Sequence, residues 1–444
     1  MFDGNSPLGF CMTLAIVLFF TKLLGLVFRK LALPEVLGFI IAGIFIGPAV
    51  FGDFAGVSLI GFEGAGYKSF LTLPEDGNGL DLFSKLGVLF LMFSAGLETN
   101  LEEIKHTGLA AALVAAAGVA VPLLLGFLIS LCFPNIGLGT AHIYRCLFIG
   151  TILTATSVAI TVSVLKELGK IKTKLGTTIV SAAVIDDVIG IILLSVVTGI
   201  ARSGASTENL SGFDWFKAQW WGTVIMIIAF FVFAVVAGFG VSKCFKWLEN
   251  RWPSHHRIPV FSIVVCFAYS WIAEEIFGVA DITGAFLAGI VLSTEHRSSV
   301  YTDKKVDVST YTLFAPVFFA NIGISNIHFA GLNPGVLLFA FIVVILGLLG
   351  KIIGCGAVFK AFKYGWCESA IGGTGMMARG EVALIVTSAV TAANLGANAL
   401  PPEFMIMTVL LILISSILTP ILLKVLYSRI PPEPEPVEIP QQEP

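Results

Sequence analysis

A long succession of apolar runs limits what this chain can become more than any other feature. The runs lie near 8–28, 34–51, 81–98, 107–132, 144–165, 174–200, 218–242, 258–277, 280–294, 308–323, 333–360, 368–394 and 403–428, parted by short polar or Gly/Pro breaks. Most approach the ~20 residues that an α-helix needs to cross a hydrocarbon layer ~30 Å thick. In lipid each backbone N–H and C=O must be satisfied within its own segment, so these runs predict helices rather than open strands. Only 12% of the 444 residues are charged, about half the share of a soluble domain. The expectation is an all-α membrane protein of thirteen spans filling residues 1–430, with a Pro/Glu-rich, disordered tail at 431–444.

An odd number of spans puts the two termini on opposite sides of the membrane. Eighteen of the 26 Lys and Arg residues fall in one set of loops and four in the other, which predicts an external N-terminus and a cytoplasmic C-terminus. The first apolar run follows Asp3 rather than a basic segment and is too long for a signal-peptide core, so it is expected to remain as a helix. A formal net charge of -3 offers no basic field to nucleic acid. The cysteines form no CxxC pair and the histidines no HExxH, so neither a disulfide framework nor resident metal chemistry is legible. No phosphate loop or nucleotide fold is present. No resident cofactor or nucleotide is therefore expected.

The runs also repeat. LGFIIAGIFIG in the second span parallels TGAFLAGIVLS in the ninth, aligning Gly38, Ala42 and Gly43 with Gly284, Ala288 and Gly289. LMFSAGLETN at the end of the third span is similar in character to PVFFANIGISN in the tenth. Two six-helix repeats, about 8–200 and 258–428, would then be joined by a linker helix at about 218–242, with the second repeat inverted in the membrane. That is a transporter architecture. In the fifth span of each repeat the helix pattern is interrupted, by TATSVAIT at Thr154–Thr161 and by GGTGMMARGEV at Gly372–Val382. Breaks at matched repeat positions point to two discontinuous helices framing an ion site. Interrupted backbone at that depth survives only when buried in protein or lining a wet cavity.

Five ionisable residues fall near mid-span: Asp186, Asp187, Lys351, Arg379 and Glu381. Unpaired, each would cost about 3 kcal/mol on insertion scales, which packing alone does not explain. Asp186 and Asp187 project about 100° apart on a helix, so one can meet a cation while the other pairs with a basic group. Close carboxylates let protons and a metal cation compete for one place. Lys351 is the natural pairing partner, able to lose its proton when a cation takes its carboxylate. Arg379 and Glu381, two residues apart, are expected to bridge to other groups near the break. A hard alkali cation such as Na+ wants oxygen ligands, which the carboxylates, Thr156, Ser157 and free carbonyls supply. Lys22 and Lys85 lie close enough to span ends to snorkel and are assigned no role.

Several stretches together identify a resemblance: LGFIIAGIFIGP, LGVLFLMFSAGLE, TATSVAITVSVLKELGK, SAAVIDDVIGIILL, ITGAFLAGIVLS, PVFFANIGI and MARGEVALIV. Over nearly the full length to about residue 428 the chain resembles the monovalent cation:proton antiporter-2 family, and within it the NapA-type bacterial sodium/proton antiporters. The TATS and IDD combination is the specific part; the glycine motifs alone are weak. The resemblance implies a homodimer in the bacterial inner membrane, with a six-helix core domain moving against a scaffold in elevator-like alternating access. It implies that Asp187 is the principal cation and proton site. By the same resemblance Asp186 pairs with Lys351, Thr156 and Ser157 are the polar residues of the crossing, and Arg379 and Glu381 form a charged pair on the second broken helix. MARGE departs from the family's frequent PRGE, since Ala378 stands where the proline would.

The expected function is exchange of Na+ or Li+ for protons, with K+/H+ exchange through the same site as the nearest alternative. The shortness of the tail argues against the nucleotide-regulated potassium efflux of some family members. An intramembrane aspartyl protease would need its carboxylates on separate helices around one water, whereas these are neighbours, and no GxGD occurs. A non-transporting sensor would be expected to lack Asp187 or to carry a signalling domain.

Overall fold

The computed structural model describes residues 2–3, 6–31, 35–52, 55–62, 66, 68–73, 79–98, 101–133, 142–171, 173–203, 220–251, 258–293, 305–326, 334–391, 399–401 and 404–429. The expected tail lies outside them. Helices α1 (Pro7–Lys30), α2 (Glu35–Ile46) and α3 (Gly79–Glu98) are followed by α4 (Leu101–Leu131), α5 (His142–Ile152), α6 (Val158–Glu167), α7 (Lys174–Ser203) and α8 (Trp220–Arg251). Then come α9 (Ile258–Trp271), α10 (Asp281–Ser293), α11 (Ala315–Asn326), α12 (Pro334–Ala361), α13 (Trp366–Gly375), α14 (Glu381–Thr391) and α15 (Met405–Tyr427). Among the described residues nine helical segments are long and apolar enough to cross a membrane. Four shorter apolar helices accompany them, at Glu35–Ile46, Ile143–Ile152, Asp281–Ser293 and Val382–Thr391.

Local signals explain where the helices begin and which face they bury. Ser6 caps α1, its hydroxyl accepting from Gly9 N at 3.0 Å, and Pro7 occupies the first turn, where a missing N–H costs nothing. Gly9, Thr13, Val17, Thr21 and Gly25 form its buried stripe at a spacing of four, while Phe19, Leu23 and Leu26 stay exposed. The burial of α12 follows the same rule, and Lys351 falls on its buried stripe with Val344, Gly347, Leu348 and Cys355. A lysine on that face has to find its partner inside the protein.

The helices assemble into two bundles. In one, α2 packs on α1 and α11, α3 packs on α10 and α11, and α9 packs on α10. In the other, α4 packs on α5, α7 and α12, and α13 and α15 pack on α12. Helix α8 touches both, through α7 and α10, and among the described residues the closest direct packing between the bundles is α7 against α10. Ser195 of α7 and Thr283 of α10 meet across that seam, hydroxyl to hydroxyl at 2.8 Å and buried.

Two expectations need correction. The chain is not purely helical: β1 (Phe2–Asp3), β2 (Val57–Phe62) and β3 (Lys68–Leu73) form a parallel sheet in the order β1-β3-β2. Strands β2 and β3 alternate in burial, with Ser58, Ile60, Ser69 and Leu71 inward and Val57, Leu59, Lys68 and Phe70 outward. A reading tuned to long apolar runs passes over that short period-two pattern. The breaks are also shorter than expected, covering residues 153–157 and 376–380. The run Gly372–Gly375 stays helical because its glycines serve close approach to α12: a Cβ on Gly373 would strike the Ile352 carbonyl, and one on Gly372 the Phe359 ring.

Candidate ion-exchange site

The two breaks cross in the interior of the second bundle. Ser157 N, leaving the first break, donates to Ala378 O in the second at 2.8 Å. Proline at position 378 would keep that carbonyl, so the change from PRGE to MARGE leaves this bond possible. Each break frees backbone groups that a continuous helix would pair, and the structure satisfies them with side chains. Thr161 Oγ1 donates to Gly375 O at 2.6 Å. Arg379, fully buried, donates through Nη2 to Leu153 O at 2.6 Å and through Nη1 to Met376 O at 3.5 Å. One guanidinium thus lies at the C-terminal ends of both α5 and α13, where the helix dipoles concentrate negative potential. Its backbone is held by α15, with Arg379 N donating to Ser415 Oγ at 3.1 Å and Ser416 Oγ donating to Arg379 O at 3.5 Å.

Opposite the guanidinium stands the carboxylate side. Asp186 on α7 is almost fully buried, and each of its oxygens has a partner. Lys351 Nζ donates to Oδ1 at 2.6 Å, and Thr156 Oγ1, from the first break, donates to Oδ2 at 2.6 Å. Both charges of this pair have fully buried side chains, which is tolerable only because the contact is short and further hydrogen-bonded. Asp187 is half-buried, one helical step around from the pair. Ser157 is buried, and its hydroxyl has no hydrogen-bond partner among the described residues.

The structure therefore brings together Asp186, Lys351 and Thr156 by direct contact, with Ser157 beside them in the same break. Arg379 sits at the crossing, and among the described residues its guanidinium bonds to backbone carbonyls. Glu381 opens α14, and its side chain lies outside the described residues. Lys85 lies in an exposed pair with Asp81 at 3.1 Å, and Lys22 reaches Tyr311 O at 3.3 Å, both away from the crossing. Sequence reasoning missed Ser415 and Ser416, which hold the Arg379 backbone. It also missed Gly118 and Cys355, which flank the ion pair. A row of hydroxyls on the last apolar span was the available signal for the serines.

The arrangement offers carboxylate, hydroxyl and main-chain oxygens near a fixed cation, inside an apolar protein. Comparisons with other proteins find similarity over most of the chain. A Na(+)/H(+)-K(+) antiporter of Bacillus cereus, GerN, is 33% identical over 417 residues, covering 94% of this chain and 95% of its own. A probable Na(+)/H(+) antiporter of the same organism, GerT, is 36% identical over 390 residues, covering 87% and 92%. In fold the chain is similar to the sodium proton antiporter MjNhaP1 of Methanocaldococcus jannaschii, with a TM-score of 0.70, 15% identity, and 94% and 98% of the two chains covered. Residues 15–427 match the family described as "Sodium/hydrogen exchanger, transmembrane", and with two relatives above 30% identity over most of their length the chain belongs to that family.

Proposed function

We propose that this protein is a secondary antiporter that exchanges Na+ or Li+ for protons at Asp186 and Asp187, by elevator-type alternating access. The observation that carries the reading is the fully buried Asp186–Lys351 pair held against two crossed helix breaks. A family of antiporters performs transport rather than covalent catalysis, so no enzyme chemistry is required. Asp187, with partial access, takes the cation first, and Thr156, Ser157 and the freed carbonyls complete its oxygen shell. When the cation also draws Asp186, Lys351 loses its counter-charge and releases its proton; departure of the cation restores the pair. If two protons move against one Na+, one net charge crosses per cycle, worth about 2.3 kcal/mol per 100 mV.

Packing supports the larger-scale parts of this reading. Counting α5 with α6 and α13 with α14 as single broken spans gives thirteen crossings in two repeats. In such repeats α2 corresponds to α10 and α3 to α11, and α2 packs on α11 as α3 packs on α10. Across the same pseudo-symmetry the first break bonds to Asp186 of α7 and the second to Ser415 of α15. Sparse packing between the bundles suits a moving core of α4–α7 and α12–α15 against a scaffold of α1–α3 and α9–α11. A homodimer, an external N-terminus and a bacterial inner-membrane location complete the proposal.

GerN's description as a Na(+)/H(+)-K(+) antiporter favours one second reading, K+ as a further substrate of the same site. Purified protein in proteoliposomes carrying a pH-sensitive dye separates the cases. Na+, Li+ and K+ added in turn should each be scored for proton efflux, and the reading expects Na+ and Li+ to drive it. Proton flux with K+ alone would replace Na+/H+ by K+/H+ exchange, and no flux with any of them would remove the antiport reading.

A further inference from the structure

The ion pair is flanked by a residue that contributes no side chain. Gly118 lies within α4 where that helix passes both α7 and α12. A Cβ placed there would stand 2.9 Å from Cys355 Sγ, 3.2 Å from Asp186 Oδ1 and 3.2 Å from Lys351 Nζ. It would sit beside the 2.6 Å contact, equidistant from its two partners. Other glycines on this packing line behave differently. A Cβ on Gly354 would meet Ala117 O at 2.9 Å and the Val121 side chain at 3.0 Å, and one on Gly350 would meet Leu125 Cδ1 at 3.0 Å. Those two set the distance between α12 and α4; Gly118 instead faces the charges. Glycine is a poor helix former, so its place inside α4 is better explained by the space it leaves than by the helix it builds.

We infer that Gly118 is a positioning residue for cation exchange: the space left by its missing side chain is what lets Lys351 close on Asp186, and so sets how strongly lysine competes with the transported cation for that carboxylate. The inference rests on the exchange site proposed above. A methyl group at 118 must displace something by a few tenths of an ångström. Asp186 is tied on its other oxygen to Thr156, whereas Nζ ends a flexible four-carbon chain, so the lysine yields. The pair lengthens and the cation gains. Cys355 Sγ is the nearest obstacle, and removing it gives the methyl room on the far side of the pair.

The test compares wild type, Gly118→Ala, Cys355→Ala and the double variant in proteoliposomes, measuring the apparent KM for NaCl and the maximal rate separately. A second readout is the shift in melting temperature of the detergent-purified proteins on titration with NaCl. Gly118→Ala should lower the KM for Na+ several-fold, and raise the Na+-induced melting shift at a fixed low concentration. The double variant should return part of the way toward wild type. Should the single variant fail to fold, the double variant carries the test, because its new methyl still touches both charges: its KM should lie below that of Cys355→Ala alone. A fall in maximal rate with KM unchanged, or equal KM values in the double variant and Cys355→Ala, would overturn the inference while leaving the exchange site intact. Absence of cation-driven flux in wild type would overturn the proposed function, and this inference with it.

Discussion

Both bundles bring their helices close with glycine, and among the described residues one of them adds buried charge. In the bundle of α1–α3 and α9–α11, close approach is made by glycine against backbone: a Cβ on Gly43 would strike the Ala320 carbonyl, one on Gly323 the Ile40 carbonyl, one on Gly96 the Phe286 carbonyl and one on Gly289 the Phe93 carbonyl. Small residues at these crossings give dispersion contacts where lipid supplies no hydrophobic drive. The other bundle holds Asp186, Lys351 and Arg379, the three buried charged residues among those described, together with two interrupted helices. At these glycine crossings the contacts of the first bundle are with backbone, and charged contacts such as Arg29 with Glu35 and Lys22 with Tyr311 O lie exposed. The second is held in addition by the Asp186–Lys351 pair and by the Arg379 guanidinium on the Leu153 and Met376 carbonyls. A transported ion can act where a buried charge holds helices together, and among the described residues the buried charged side chains lie in the second bundle.

Breaking the charged side should have the largest effect. Lys351→Ala leaves a carboxylate in the interior without its cation and should lower stability by about 3–5 kcal/mol. A thermal melt in detergent measures it, and Asp186→Asn in the same chain should recover much of the loss. If the single variant melts with wild type, the pair is not what holds that bundle. Gly43→Ala, in the glycine-packed bundle, should cost about 1–3 kcal/mol by overpacking, with the KM for Na+ unchanged in whatever protein folds; a shifted KM would mean the two bundles are not separate in function. Smallest is Ser195→Ala, which removes the hydroxyl contact at the seam and should cost about 1 kcal/mol. Its mark should be a changed maximal rate at constant KM, read from the same flux assay, and an unchanged rate would show that this contact does not have to break during transport.

Much of this contrast could be read from the amino-acid order, for identifiable reasons. A charge in a long apolar run is costly wherever it lies, so Asp186, Asp187, Lys351 and Arg379 stood out without any geometry. The crossing could be located from hydroxyls and glycines at matched repeat positions, but its extent could not. Gly372–Gly375 read as a break and proved to be helix, because a glycine run signals either free dihedrals or close approach and the sequence does not say which. The sheet at Val57–Phe62 and Lys68–Leu73 was passed over since six-residue alternation is weak beside twenty-residue apolar runs. The partners of Arg379 could not be foreseen at all, being the carbonyls of Leu153 and Met376. Gly118 was invisible for a related reason: a residue that acts by what it lacks has no chemical signature.

Competition of cation and proton for the aspartates beside the crossed breaks stands or falls with Asp187→Asn. The variant keeps the shape of the side chain and leaves the Asp186–Lys351 contact in place. The measurement is Na+-driven proton flux in proteoliposomes at matched protein density, with a melt to confirm folding. Flux should be no greater than that of empty vesicles, from a variant that melts close to wild type. Flux at the wild-type rate would rule out Asp187 as the place where the two ions compete.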